Sequence, residues 1–465
     1  VTATVPESLA RLPPGPGTPA LWQTYQVLAN PRTYTRAMRS RYGDAIRFRL
    51  LAGRGVSFSS PELARELFSA DADGFEVEPM VSLIFGPQSL LATSGATHRR
   101  QRKLLNPRFH GARVKGFLET MQRVVEDGCE PFRRAAGTGE GVRVLDVAQA
   151  ITLDVILETV FGASEGLDRS AARALLAGLV ESITPALFGS SRLHTPLFPP
   201  WRTFRRRRAE FDAWVDAIVA KRRASGDPGS DVLGTLVDAR YEDGAPMDDA
   251  EIRDQLLTLL LAGHETTATA IAWGVYWLAR EPTKLATLRA ELDALGAAAP
   301  VERLVRSPYL EAVASESLRV EPIVTYVSRV CRTPLKVGPW TVPAGEIASV
   351  NLLAILSDEK LFPEPERFLP ERFLGKSYSA AEFLPFGGGQ RRCLGAAFAE
   401  AELAIALATI ASGWDLELAS AAPERAVRRN ITMGPAGGVP VRVRARAGAG
   451  ARAAQTIASE PSDRL

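Results

Sequence analysis

Cysteine is scarce in this sequence: Cys129, Cys331 and Cys393 are the only three in 465 residues, far apart and odd in number. That argues against a disulfide framework and fits a reducing, cytoplasmic setting. No Cys-x-x-Cys-His occurs, so no haem is attached covalently in the c-type manner. No run of eighteen apolar residues appears, which predicts no membrane-spanning helix. The opening residues carry Pro6, Pro13, Pro14, Pro16 and Pro19 in place of the apolar core of a signal peptide. Charge of one sign is missing too: 56 Lys and Arg against 53 Asp and Glu leave a net charge of +3. Nothing in that balance points to nucleic acid. There is no internal repeat.

What is present is ordinary globular composition, 46% hydrophobic and 23% charged. Basic residues cluster only locally, at Arg99, Arg100, Arg102 and Lys103, at Arg205 to Arg208, and at Arg391 and Arg392. Residues 1–20 read as an irregular proline-rich leader, 21–443 as one domain, and 444–465 as a disordered tail rich in Ala, Arg and Gly. Within the domain, β-type residues around a glycine turn predict a hairpin at 44–58, and Ser60-Pro61-Glu62 opens a helix. Helical spacing recurs at 97–108, 114–135, 147–161, 169–188, 202–223 and 307–320. Short strands are expected at 324–331, 335–342 and 347–352, and a last hairpin at 431–443. The loop 189–201 is long and apolar enough to be a lid. The fold class is mainly α with a small β region.

Two stretches stand apart. Phe386-Gly387-Gly388-Gly389-Gln390-Arg391-Arg392-Cys393-Leu394-Gly395 puts a cysteine behind three glycines and ahead of a helical pattern at 394–411. There the free amides and positive dipole end of a helix favour a thiolate, although one cysteine beside glycines also fits an inert buried thiol. The second is a helical pattern over 249–280, about 50 Å long at the helical rise. Asp248 and Glu251 form a capping box at its start. It is apolar on nearly all sides, yet its centre reads Ala262-Gly263-His264-Glu265-Thr266-Thr267. Buried polar groups are expensive unless they serve something. Thr266 can bond the carbonyl of Ala262 and open the ladder, and Gly263 takes away bulk, together making room for a small ligand.

Further along, Glu316 and Arg319 lie three apart on one helix face, and Arg372 in a proline-broken meander could complete a Glu–Arg–Arg network. His98, Arg102, Arg329 and Arg391 are scattered cations. Any one of these features alone fits a surface pair, a surface charge or a helix kink.

Together, in this order, they resemble the cytochrome P-450 family of haem-thiolate monooxygenases, from about Leu12 to Val443. The cysteine signature is matched by Phe386, Gly387, Gly389, Arg391, Cys393 and Gly395; the oxygen-handling helix by Ala262 to Thr267; the Glu-x-x-Arg pair by Glu316 and Arg319; and the later arginine by Arg372. His98 stands where many relatives carry tryptophan. The lack of a membrane anchor resembles the soluble bacterial type, and Arg329 with the Ala-Gly-His-Glu-Thr-Thr wording resembles its eukaryote-like branch, where fatty acids are common substrates.

The resemblance implies a single-domain fold with a long central helix over haem and a Cys-ligand loop beneath. It implies haem b bound through Cys393, with His98, Arg102, Ala262, Arg329, Phe386, Gly387, Arg391 and Gly395 around the cofactor and Glu265 and Thr266 handling oxygen and protons. Electrons would come from a ferredoxin or flavodoxin with its reductase, docked on Arg391, Arg392, Arg99, Arg100 and Lys103. Met80, Phe85, Phe188, Ala262 and Val324 are expected to wall an apolar pocket for a hydrophobic small molecule, a fatty acid or terpenoid, oxidised with O2. Competing readings are a peroxide-driven or isomerase-type haem-thiolate enzyme and a non-catalytic haem sensor. The Glu265–Thr266 pair argues against these.

Overall fold

The computed structural model describes residues 11–446, apart from 78, 110, 163–167, 185–186, 188–193, 227–228, 230, 297 and 430–431. Its axis is the helix Asp249–Arg280, with the bounds its sequence predicts. The Asp248 carboxylate caps it by accepting from the Glu251 amide at 2.7 Å. The reciprocal half of the capping box does not close. Glu251 Oε1 instead accepts from Gln101 Nε2 at 2.7 Å and from the Tyr241 hydroxyl.

Three apolar clusters surround this axis. The C-terminal half of the long helix (Ala268, Ile271, Trp273, Val275) packs with Leu403, Leu407 and Ile410 of Ala396–Gly413, and with Leu310 and Val313 of Pro308–Val320. The N-terminal half (Ile252, Leu256, Leu260) packs with Val144–Phe161 and Pro199–Ser225 through Leu157, Phe204 and Phe211. A third cluster lies under the main sheet, around Val56, Phe58, Leu67 and Val350. Ala396–Gly413 is long and apolar enough to cross a membrane by length and composition, but it is buried among these helices. Its apolarity reflects enclosure on most faces; Glu400 marks the exposed side.

The main sheet runs Ala45–Leu50, Gly53–Phe58, Ile347–Asn351, Tyr326–Cys331, Phe75–Glu76. The first two strands form the expected hairpin, and only the Gly53–Phe58/Ile347–Asn351 pair is parallel. The segment expected at 335–342 is a small hairpin of Leu335–Val337 with Trp340–Val342.

Several boundaries differ from expectation. The 114–135 pattern is broken into Ala112–Lys115, Leu118–Gly128 and Glu130–Thr138, the last opened by Pro131 in its first turn. The final hairpin is not one unit. Thr432–Pro435 pairs back on Ala426–Arg429, whereas Pro440–Ala445 joins Trp414–Leu418 and Gly141–Arg143 in a separate sheet. That strand carries order past 443, and Arg446 donates to both carboxylate oxygens of Asp293. Residues 11–19 are irregular but pinned, and a helix Ala20–Ala29 follows: the Arg47 amide donates to the Pro14 carbonyl and the Thr341 amide to that of Arg11, each at 3.0 Å. Residues 1–10 of the leader, 447–465 of the tail and 189–193 of the expected lid lie outside the described residues.

Candidate active site

The glycine run before Cys393 is shaped by one neighbour. A Cβ on Gly388 would stand 2.4 Å from the Phe68 ring, and one on Gly389 would stand 2.1 Å from the Phe68 carbonyl oxygen, with φ at +67°. Only glycine lets the loop lie this close to the helix Pro61–Ser69. The loop then doubles back, and the Cys393 amide donates to the Phe386 carbonyl at 2.9 Å. Phe386 and Leu394 anchor it to two of the apolar clusters.

Cys393 is exposed, whereas Cys129 and Cys331 are buried and their thiols pushed up to about 12. The helix that follows begins at Ala396 with Gly395 as its cap, so the cysteine sits before the helix end and not on it. Crowding by protein raises the Cys393 thiol above its ordinary range; the Gly395 amide, Arg102 and Arg392 pull it down. A bound metal ion would act in the same direction as these cations and favour the thiolate.

The scattered cations converge. His98 and Arg102 come from the helix Gly95–Leu105, Arg329 from the strand Tyr326–Cys331 and Arg391 from the cysteine loop. Burial, then Arg391, Arg102 and Arg329, lowers His98 to about 4. Burial and Arg391 lower Arg329 to about 10, and burial and Arg102 lower Arg391. No carboxylate pairs with these three arginines among the described residues. Arg391 is held only by the carbonyls of Thr93 and of Leu91, the latter at 3.4 Å. Arg329 lies over the rings of Phe75 and Phe68, at 5.0 and 5.7 Å. Two buried polar atoms here, His98 Nδ1 and Arg329 Nη2, have no hydrogen-bond partner. An orphaned guanidinium donor and an orphaned imidazole nitrogen beside unpaired arginines describe a site for a group with carboxylates.

The long helix is mostly buried on either side of its centre, over 251–260 and 267–278, but residues 261–266 are all half-buried. Within that strip the Thr266 hydroxyl donates to the Ala262 carbonyl at 2.6 Å, and the Thr269 hydroxyl to that of Glu265 at 2.8 Å. Gly263 does not face this opening as expected. A Cβ there would meet Ile156 Cδ1 at 3.3 Å, so the glycine serves close packing against Val144–Phe161. His264 Nε2 donates to the Gln149 carbonyl at 3.0 Å, and Gln149 Nε2 donates to Glu265 Oε2 at 2.9 Å.

Residues 12–438 match the sequence profile of the family Cytochrome P450. The chain belongs to the cytochrome P450 family. The provisionally named cytochrome P450 135B1 of Mycobacterium tuberculosis is 34% identical over 96% of this chain and 94% of its own. The provisionally named cytochrome P450 138 of Mycobacterium bovis is also 34% identical, over 94% and 97%. A solved structure described as "Retinoic acid bound cyanobacterial CYP120A1" superposes with a TM-score of 0.81 at 25% identity, over 94% of this chain and 100% of that one. This P450 is thus a monooxygenase whose cofactor is haem b. The residues present fit that group: an exposed thiol, a cradle that Cβ atoms would fill, and an orphaned guanidinium donor and imidazole nitrogen among unpaired arginines.

Of the expected docking cations, Arg99 pairs with Asp73 and Arg100 with Asp243, both at 2.8 Å, and Lys103 with Glu242. Arg391 turns inward to Thr93. Arg392 alone of the five is exposed without an ion pair among the described residues, its guanidinium 6.0 Å from the Phe386 ring. Of the expected pocket walls, Met80, Phe85, Ala262 and Val324 are half-buried, and Phe188 lies outside the described residues.

Sequence reasoning missed Phe68, the Thr93 carbonyl and Gln149. The first two act through shape and backbone and leave no sequence signal. Gln149 left only a weak one: it is one of several polar residues, with Asp146, Asp154 and Glu158, in a largely apolar helix.

Proposed function

We propose that this P450 hydroxylates a hydrophobic carboxylic acid or terpenoid with electrons from an external ferredoxin or flavodoxin, holding its haem iron through Cys393. The observation that carries the reading is the Thr266 hydroxyl tied to the Ala262 carbonyl beside Glu265, in the one half-buried strip of the long helix. Haem, when bound, supplies activation of O2 and insertion of one oxygen atom.

The protein's part is to hold and deliver. His98, Arg102, Arg329 and Arg391 would bind the propionates, which explains why three arginines stand together without carboxylate partners around a histidine they hold neutral. Thr266 donates its own proton to Ala262, leaving the hydroxyl oxygen free to accept from a proton donor in the cavity. Glu265 takes protons from the solvent side and passes them on at its carboxylate. Half-buried Met80, Phe85, Ala262 and Val324 would exclude water around an apolar substrate. The superposable cyanobacterial protein was solved with retinoic acid bound, and the terpenoid carboxylic acid in that relative supports the same substrate class here.

The reduced protein should give the long-wavelength carbon monoxide band of thiolate ligation, lost in Cys393→Ser. Fatty acids and retinoids should be screened by the haem spin shift, and the best binder turned over with a ferredoxin system. Thr266→Ala should then release peroxide at the expense of product. A normal carbon monoxide band in the Cys393 variant, or turnover on peroxide alone with no response to ferredoxin, would sink the reading.

A further inference from the structure

We infer that Gln149 is a positioning residue for Glu265, holding its carboxylate in both protonation states. This rests on the proton-relay role proposed above for Glu265.

Gln149, Thr152 and Ile156 recur at helical spacing and form one face of Val144–Phe161. That face meets three consecutive residues of the long helix. Ile156 fills the space that the missing Gly263 side chain leaves. The Thr152 hydroxyl donates to the His264 carbonyl at 3.1 Å. Gln149 holds two side chains by different parts of itself: its carbonyl accepts from His264 Nε2 at 3.0 Å, and its side-chain amide donates to Glu265 Oε2 at 2.9 Å.

The register of the two helices is thus set by backbone and by neighbours. The Gln149 side chain adds one thing, the direction of the Glu265 carboxylate. Two threonines that follow that acid bond back to the main chain, Thr266 to Ala262 and Thr269 to Glu265 itself, so the local ladder competes with side-chain bonds.

The chemistry of the partner matters. An arginine or lysine would hold Glu265 ionised and oppose proton uptake. No such cation pairs with it among the described residues. A carboxamide carries a donor and an acceptor on one rotor. It gives N–H to the carboxylate and, turned over, accepts from the protonated acid, so the group can cycle without losing its place.

The test uses holoenzyme with a ferredoxin system and lauric acid as the probe. It reads peroxide released per O2 consumed, and the solvent deuterium isotope effect on O2 consumption. Gln149→Leu keeps the carbonyl that holds His264, and Gln149→Asn keeps polarity but not reach. Both should raise the peroxide share and the isotope effect in the direction of Glu265→Gln, with melting temperature and the carbon monoxide spectrum unchanged. In the carbon monoxide complex, the carboxyl infrared band that Glu265→Gln removes should shift in both Gln149 variants. If Glu265→Gln alters the partition and the Gln149 variants do not, the inference fails and the relay stands. If Glu265→Gln itself changes nothing, the relay fails and the positioning role fails with it.

Discussion

The Arg319 guanidinium grips Glu316 with two bonds, Nε to Oε2 at 2.6 Å and Nη2 to Oε1 at 2.9 Å, and both side chains are shut away from water. Glu316 Oε1 also accepts from Arg372 Nε at 3.1 Å and from the Leu369 amide at 2.8 Å. Arg319 in turn donates to the carbonyls of Leu356 and Arg367, at 3.0 and 3.1 Å. One ion pair therefore fastens the helix Pro308–Val320 to the meander that leads into the cysteine loop. Removing one partner leaves the other charge buried and alone, so Glu316→Ala should cost roughly 3–5 kcal/mol. Denaturant unfolding should show that loss, together with poor haem retention. Glu316→Gln keeps an acceptor and should lose less.

Much of this was legible beforehand, because it depends on local pattern. The 249–280 helix announces itself by its cap, its length and Pro282, and the Glu316–Arg319 pair by spacing. The Cys-ligand family signature needs only a run of ten residues. What could not be read is what distant segments do to one another. Nothing near Asp73, Glu242 or Asp243 says that they pair with the basic helix Gly95–Leu105. Nothing near Gly263 says that Ile156 lies behind it. The final hairpin was misjudged because Pro440–Ala445 has the same β character whichever sheet it joins, and pairing is decided by tertiary packing.

His98 makes the haem-free protein acid-sensitive. Burial and the surrounding arginines lower it to about 4 in the fold, against about 6.5 in an unfolded chain. As pH falls, the unfolded chain takes up this proton first. The stability contributed by a neutral His98 is complete above pH 6.5 and is lost as pH drops through about 4. The full swing is on the order of 3 kcal/mol. Unfolding of haem-free protein at pH 7 and pH 4 should show the difference, and His98→Asn should flatten it. Bound carboxylates oppose the arginines, so haem-loaded protein should respond less.

Ion pairing divides the basic surface. With Arg99, Arg100 and Lys103 already neutralised, reversing them exchanges one local pair for a repulsion at the surface, worth under about 1 kcal/mol. Arg392 has no such partner among the described residues and lies next to Cys393. Arg392→Glu should slow reduction by an acidic ferredoxin at low salt more than Arg99→Glu or Lys103→Glu, and salt should erase the gap. Stopped-flow reduction under carbon monoxide measures this directly. Equal effects from all three variants would place the docking surface elsewhere.

Gly388 and Gly389 both touch Phe68, yet they should not respond alike to substitution. The Cβ of Gly388→Ala meets a ring, 2.4 Å from Cδ2, which can turn or slide. The Cβ of Gly389→Ala meets a backbone carbonyl at 2.1 Å, and its φ of +67° is one that L side chains rarely adopt. Relief there must move the loop or the helix Pro61–Ser69, and either movement displaces the chain that presents Cys393. Gly389→Ala should lose haem and its thiolate-type carbon monoxide band. Gly388→Ala paired with Phe68→Leu should keep both, since the smaller side chain removes the obstacle. Spectra of the two variants, normalised to protein, separate the cases: a Gly389→Ala protein with a full-strength band would mean that the loop does not depend on this contact.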